Sequence, residues 1–89
     1  DALLLVKPQF EVGRHRVAKG GVVRDISAHV DALQSVIDFS VHQGWKLKGI
    51  EPSPIKGAAG NQEYLLWLGL YGEGVVLPLL DSFVKKANP

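Results

Sequence analysis

The sequence predicts an α/β fold, in which a small three-stranded sheet is flanked by helices. The chain opens on the continuous apolar run Ala2-Leu3-Leu4-Leu5-Val6, which is typical of a buried strand in such a sheet. A long segment with helical periodicity follows, and two further apolar stretches come after it. A strand–helix–strand unit predicts parallel pairing of the first two strands, with a right-handed crossover.

The first strand is expected over residues 2–7 and should be fully buried. Pro8 has no backbone N–H and should therefore end its ladder. Residues 8–24 are expected to form a long loop, because a proline and three glycines interrupt regular structure there. Loops of this length in a compact domain are often functional.

The periodicity predicts a helix over residues 26–43. Its apolar face recurs at spacings of three and four and comprises Ile26, Val30, Leu33, Ile37 and Val41. Asp25 or Ser27 can cap the amino end by accepting a backbone N–H. Gly44 suits the left-handed conformation that commonly follows the carboxyl end of a helix.

Residues 45–50 predict a second strand, with lysines on one side as is typical of a sheet edge. A glycine-rich loop over residues 55–62 leads into a third strand, Tyr64 to Leu70. That loop is too short for another helical crossover, so the third strand should run antiparallel. Val75 to Lys86 predicts a final helix, with Pro78 in its first turn, where proline is tolerated.

Length and composition restrict what the chain can be. Eighty-nine residues form one small domain or part of a larger one. The absence of cysteine excludes disulfides and thiolate metal sites, and the three histidines lack metal-ligand spacing, so no metal is expected. No apolar run approaches the ~20 residues of a membrane span. Because termini usually lie in exposed segments, a start on a buried strand predicts that residue 1 lies inside a larger fold.

Lys7 is the first candidate functional residue, because it stands at the carboxyl end of the first strand. Ligands of open α/β sheets bind outside the carboxyl ends of the strands. From its position alone, the more common interpretation of Lys7 is a lysine whose long side chain simply reaches water.

A cluster of cations follows in the long loop, although the net charge of the chain is only +1. Residues 7–24 contain a single carboxylate, Glu11, and five cations: Lys7, Arg14, Arg16, Lys19 and Arg24. Such a loop could attract the phosphates of a nucleic acid. The alternative is an ordinary solvated surface.

Three stretches in order carry a family resemblance: Leu-Val-Lys-Pro-Gln-Phe-Glu at residues 5–11, Lys-Gly-Gly-Val-Val-Arg-Asp at residues 19–25, and residues 52–63, where Pro-Ser-Pro-Ile-Lys-Gly is followed by Gly-Asn-Gln-Glu. Together these stretches resemble the TlyA family of FtsJ-like RNA methyltransferases, whose members are also named haemolysins. The resemblance implies the carboxyl half of a Rossmann-like methyltransferase fold. The last strand then inserts antiparallel between the other two, which gives a mixed sheet of spatial order 1-3-2.

The resemblance also implies a catalytic pair. The family uses a Lys-Asp-Lys-Glu tetrad, and its second lysine and its glutamate correspond to Lys7 and Glu63. Adjacent antiparallel strands would bring the end of the first strand and the start of the third to one edge, so these two residues should meet. Gln9, Phe10 and Asn61 are candidates for contact with substrate, although Asn61 also suits a turn.

The chemistry implied by the family is methyl transfer from S-adenosylmethionine to a cytidine ribose 2′-hydroxyl in ribosomal RNA, in the cytoplasm. Lys7 would act as a base, if burial or a nearby cation lowered the ordinary pKa of its amine, or as a charged group that orients the hydroxyl. The first lysine, the aspartate, the glycine-rich cofactor turn and the RNA-binding domain of the family lie upstream. Residues 1–89 are therefore expected to be inactive alone, with the cofactor bound mainly by upstream segments.

The alternative is a membrane-interacting protein of the haemolysin type, or an RNA-binding module, without methyl transfer. The amphipathic segment over residues 26–43 is the only feature that could serve a membrane. Its polar face carries Asp31 and Asp38 in place of the basic residues that membrane-surface helices show. The sequence therefore favours the methyltransferase interpretation.

Overall fold

A computed structural model describes all 89 residues. Three strands form its sheet: β1 (Ala2–Val6), β2 (Lys46–Pro52) and β3 (Tyr64–Gly69). The helices are α1 (Pro8–Glu11), α2 (Ile26–His42) and α3 (Leu80–Ala87), and single 3₁₀ turns lie at Arg14–Arg16 and Ala58–Gly60.

β3 is the central strand of the sheet, and the spatial order is β1-β3-β2. It pairs antiparallel with both neighbours, and Tyr64 lies opposite Val6 on one side and Pro52 on the other. The predicted order and the antiparallel last strand are confirmed. β1 and β2 run in the same direction but are separated by β3, so the expected parallel pairing between them does not occur. Both ladders are therefore antiparallel, and the sheet is not mixed in its hydrogen bonding.

The expectation that β1 is fully buried is wrong. Only Val6 is buried in this strand, and Leu3 is 67% exposed. β1 lies at the edge of the sheet and pairs with β3 alone. Its inward-facing residues pack beneath the helices, whereas Leu3 and Leu5 lie on the face that the helices do not cover.

The core lies between one face of the sheet and the helices α2 and α3. Nine buried side chains form it: Val6, Leu33, Ile37, Leu47, Tyr64, Leu66, Leu68, Leu80 and Val84. The predicted caps of α2 are confirmed. Asp25 accepts a hydrogen bond from the Ser27 N–H at 3.0 Å, and Gly44 has a φ of 95° just beyond the carboxyl end.

The predicted loop over residues 8–24 contains more regular structure than expected. Pro8 ends the β1 ladder but also opens α1, because proline has a suitable φ for the first helical position and needs no donor there. The N–H groups of Phe10 and Glu11 both donate to the carbonyl of Lys7. The chain therefore turns sharply just after the candidate lysine.

The final helix begins at Leu80, so the predicted start at Val75 is wrong. The N–H of Val75 donates to the carbonyl of Leu47 at 2.8 Å, which ties this residue to β2. Pro78 disfavours the helical conformation for the residue before it and lies ahead of the helix rather than in its first turn.

Candidate active site at the edge of the sheet

The candidate site lies where the carboxyl end of β1 meets the amino end of β3. Lys7 directly follows β1 and Glu63 directly precedes β3. The Lys7 Nζ atom lies 3.5 Å from both carboxylate oxygens of Glu63, although 56 positions separate the two residues. The prediction that these two side chains meet at one edge is confirmed.

The two members of this pair differ in exposure. The side chain of Glu63 is 4% exposed, whereas that of Lys7 is 41% exposed. A carboxylate removed from water needs partners that compensate its charge. Glu63 therefore forms the inner wall of the site, and the ammonium group of Lys7 faces the solvent, where a ligand can reach it.

Gln9 is the nearest hydrogen-bond partner of Glu63. Its Nε2 atom donates to Oε2 of Glu63 at 2.7 Å. The short helix α1 brings it there, because the chain turns at Pro8. Phe10 follows Gln9 on α1 with 72% of its surface exposed. The structure thus gathers Lys7, Gln9 and Glu63 at one place.

Gly57 also belongs to this site, and the sequence analysis did not identify it. A Cβ atom at this position would lie 1.9 Å from Oε2 of Glu63. The glycine therefore leaves space into which the buried carboxylate fits. The only sequence signal was its place in the glycine-bearing loop that precedes Glu63.

Asn61 connects two loops instead of facing outward. Its Oδ1 atom accepts from the Val23 N–H at 2.9 Å, and its Nδ2 atom donates to the carbonyls of Gly21 and Ala58, each at 2.8 Å. Both amide donors of this buried side chain are thus used within the protein. This arrangement favours the turn-forming role over a side-chain contact with substrate.

The five cations of residues 7–24 do not form one patch. Arg16 is bound to the start of α2: its Nη1 atom lies 2.6 Å from Asp31 Oδ2, and its Nη2 atom lies 3.6 Å from Asp25 Oδ2. The hydrogen bond with Asp31 raises the pKa of Arg16 above its ordinary value. Arg16 therefore anchors the loop. The cations that remain exposed in the loop without an ion pair are Arg14, Lys19 and Arg24.

A buried polar network supports the loop from below. His29 Nε2 lies 2.8 Å from the carbonyl of Val23, which can only accept, so this nitrogen carries the proton. His29 Nδ1 then accepts from the hydroxyl of Tyr64 at 2.9 Å, and Asn88 Nδ2 donates to that hydroxyl at 2.9 Å. Burial raises the pKa of Tyr64. The network joins α2, β3 and the segment after α3 to the loop.

Comparison with known proteins identifies the family of this chain. Residues 1–70 match the sequence model of the FtsJ-like methyltransferases. The chain belongs to the FtsJ-like methyltransferase family.

The relatives of this FtsJ-like chain carry methyltransferase and hemolysin names. It is 51% identical over 74 residues to "Putative rRNA methyltransferase YqxC" of Bacillus subtilis, which covers 83% of the chain and 26% of the relative. It is 44% identical over 68 residues to "16S/23S rRNA (cytidine-2'-O)-methyltransferase TlyA" of Mycobacterium tuberculosis, covering 76% of the chain and 25% of the relative. The chain thus spans about a quarter of the length of these relatives.

A solved structure that carries a hemolysin name superimposes closely on the FtsJ-like chain. It is "a putative hemolysin from Lactococcus lactis", with a TM-score of 0.86 and 36% identity, covering 98% of this chain and 42% of that one. No helix in the chain combines the length and the apolar character needed to cross a bilayer.

The ion pairs at the start of α2 predict a defined dependence of stability on pH. Hydrogen bonds from Ser27, together with the nearby charge of Arg16, lower the pKa of Asp25 below its ordinary value of 3.8. A carboxyl with a lowered pKa in the folded state stabilises the fold above its unfolded pKa, and this stabilisation disappears as the pH falls through the folded pKa.

We therefore expect Asp25→Asn, which keeps the capping oxygen but removes the charge, to lower the melting temperature at pH 7. The difference from the wild type should vanish as the pH falls below 3.8. Thermal unfolding followed by circular dichroism over a pH series measures it. Asp38→Asn, on the exposed face of α2 away from Arg16, is the matched control. A difference that stays constant down to the acid limit would contradict the assignment.

Proposed function

We propose that residues 1–89 are the carboxyl-terminal portion of the catalytic domain of an rRNA ribose 2′-O-methyltransferase. The enzyme would transfer a methyl group from S-adenosylmethionine to a cytidine ribose 2′-hydroxyl of ribosomal RNA or a ribosomal subunit. The observation that carries the proposal is the Lys7–Glu63 pair, 3.5 Å apart at the edge of the sheet. The names of the relatives, among them an enzyme named for cytidine-2′-O methylation, support the substrate.

In this proposal the segments that hold the cofactor lie outside residues 1–89. S-adenosylmethionine supplies the methyl group as an electrophile. The chain itself offers no strand-to-helix glycine turn of the kind that binds a nucleotide cofactor. A groove of about 660 Å³ lies between the end of α2 and the start of β2, at the opposite edge of the sheet from Lys7. We therefore propose that the 89 residues alone are inactive.

Lys7 would act directly on the ribose. A 2′-hydroxyl is a weak nucleophile until it is oriented or loses its proton. Lys7 lies at the end of β1 and its side chain is 41% exposed, so its amine is open to a ribose hydroxyl. Glu63, which is buried behind it, keeps the amine near this edge of the sheet. Lys7 would serve either as the base that accepts the proton or as the cation that holds the hydroxyl in line for attack.

The loop over residues 14–24 would contact the RNA backbone. Arg14, Lys19 and Arg24 are exposed cations without carboxylate partners, and they lie on the segment that follows the catalytic lysine. Neutralising phosphates with such side chains releases counterions and makes binding dependent on salt. An rRNA substrate would place the enzyme in the cytoplasm.

The first test concerns Lys7 in the complete enzyme. We expect Lys7→Ala to reduce the single-turnover rate of rRNA methylation by at least about 10²–10⁴-fold, because general-base help of that size is lost. Affinity for S-adenosylmethionine, measured by calorimetry, should change little, since other segments hold the cofactor. Lys46→Ala, which removes a strand-end lysine at the opposite edge of the sheet, is the matched control.

A Lys7→Ala enzyme with near-normal turnover would show that this lysine only reaches water. A wild-type protein that permeabilises liposomes and does not methylate rRNA would favour the membrane alternative, which the hemolysin names of some relatives suggest.

The second test separates Arg14 from Arg16. Arg14→Ala should weaken RNA binding and reduce the slope of log K against log salt by about 0.7–0.9, the amount expected for one phosphate contact. Arg16→Ala should lower the melting temperature more and the salt slope less, because Arg16 is bound to Asp31. Equilibrium binding over a salt series, with thermal unfolding of the same proteins, measures both. Identical salt slopes for Arg14→Ala and the wild type would contradict the phosphate contact.

A further inference from the structure

We propose that Gln9 and Gly57 are positioning residues that hold the carboxylate of Glu63, so that the place of this carboxylate does not depend on Lys7. The inference rests on the proposed function and names two residues that act through Glu63. Gln9 supplies the short hydrogen bond to the carboxylate, and Gly57 supplies the space that it occupies.

The distances show which partner holds Glu63. The amide of Gln9 donates to Oε2 at 2.7 Å, whereas the ammonium of Lys7 lies 3.5 Å from either oxygen. A hydrogen bond to an ionised acceptor is strongest near 2.7–2.9 Å, and one at 3.5 Å is at the limit of the interaction. Gln9 is therefore the principal anchor of the carboxylate, and Lys7 is the looser partner.

The orientation of the Gln9 amide also indicates that Gln9 is the principal partner of the Glu63 carboxylate. With Nε2 directed to Glu63, the Oε1 atom of Gln9 is buried and has no hydrogen-bond partner. A buried acceptor without a donor destabilises a protein. Exchanging Nε2 and Oε1 of Gln9 would place Oε1 2.7 Å from an ionised carboxylate, so that two acceptors would face each other. The negative charge of Glu63 thus dictates how the amide lies.

Gly57 is a glycine for reasons of space and not of backbone conformation. Its φ is −84°, a value that residues with side chains adopt readily. A Cβ atom there would lie 1.9 Å from Oε2 and 2.3 Å from Cδ of Glu63. The surrounding loop has little freedom to yield, because the Gly57 N–H donates to the Asn61 carbonyl at 2.8 Å and its carbonyl accepts from Gly60. The carboxylate therefore rests against the backbone at residue 57.

This arrangement leaves Lys7 free to serve the substrate. Since Gln9 holds Glu63, the lysine side chain, 41% exposed, can move toward a ribose hydroxyl while the carboxylate stays in place. Without the amide, Glu63 would turn toward the only cation beside it and form a tighter ion pair with Lys7. A tighter pair favours the charged form of the lysine and holds it away from the hydroxyl.

The experiment uses the complete enzyme with Gln9→Leu and Gly57→Ala. Single-turnover rRNA methylation is measured at saturating S-adenosylmethionine across a pH series. We expect each variant to lower the maximal rate about 10–100-fold, as small misplacements of reacting groups do, with RNA KM nearly unchanged. Where Lys7 is the base, the acidic limb of the pH–rate profile should move to higher pH in Gln9→Leu, because the tighter ion pair favours the charged lysine. Where Lys7 is the orienting cation, the rate alone should fall.

Matched controls exist for both substitutions. Gln34→Leu removes an amide that donates to Asp38 at 2.8 Å on α2, which is the same kind of bond away from the site. Gly49→Ala adds a Cβ atom that would lie 3.6 Å from the Trp67 ring, an ordinary contact. Both controls should keep the rate and the pH profile of the wild type. Rates and pH profiles in Gln9→Leu and Gly57→Ala equal to those of the controls would overturn the proposal.

A second readout does not depend on activity. In the complete protein labelled with ¹⁵N-glutamine, the side-chain amide signal of Gln9 should shift as Glu63 takes up a proton, and this shift should be lost in Glu63→Gln. A Gln9 amide signal that does not change during the titration of the wild-type protein would overturn the positioning role, even if every variant unfolded. A normal titration in a wild-type protein that methylates no RNA would instead leave the positioning intact and reject the proposed function.

Discussion

The antiparallel insertion of β3 between β1 and β2 is the constraint on which the candidate site depends. Because β3 runs against β1, its first residue lies beside the last residue of β1, and Val6 pairs with Tyr64. The neighbours of that pair, Lys7 and Glu63, then have to emerge at the same edge. A parallel β3 would place them at opposite ends of the sheet. The sheet topology, and no local motif, thus produces the ion pair.

Polar side-chain contacts hold the loops around this edge in place. Asn61 joins the loop before β3 to the loop before α2, and Arg16 binds that second loop to the start of α2. His29 holds the carbonyl of Val23 from within the core. These contacts restrict the segments that flank Lys7 and Glu63, and they leave the other cations of the loop free for an anionic partner.

The parts of this fold that the sequence predicted are those that rest on periodicity and strand order. The spacing of apolar residues gave α2 to within one residue, and Asp25 and Gly44 marked its caps. The exposure of Leu3 in β1 was not predictable, because an apolar run is the same whether or not a neighbouring strand covers it. The start of α3 was missed because Val75 pairs with β2, a long-range contact that overrides local propensity.

The candidate site, like the fold, was only partly predictable from the sequence. The family motifs identified Lys7 and Glu63, and their positions at strand ends explained why they meet. The contacts of Gln9 and the space at Gly57 depend on side-chain geometry across loops far apart in sequence, which no pattern in one chain encodes. Arg16 and Arg24 look alike as members of a basic segment, yet only Arg16 is bound to carboxylates, those of Asp25 and Asp31.

A double-mutant cycle on Lys7 and Glu63 in the complete enzyme tests whether the two residues act together. Single-turnover methylation of rRNA is compared for Lys7→Ala, Glu63→Gln and the double variant. If Glu63 acts through Lys7, we expect the double variant to be no slower than the slower of the two single variants. Losses that multiply, as they do for independent groups, would contradict the claim that the two residues work as one unit.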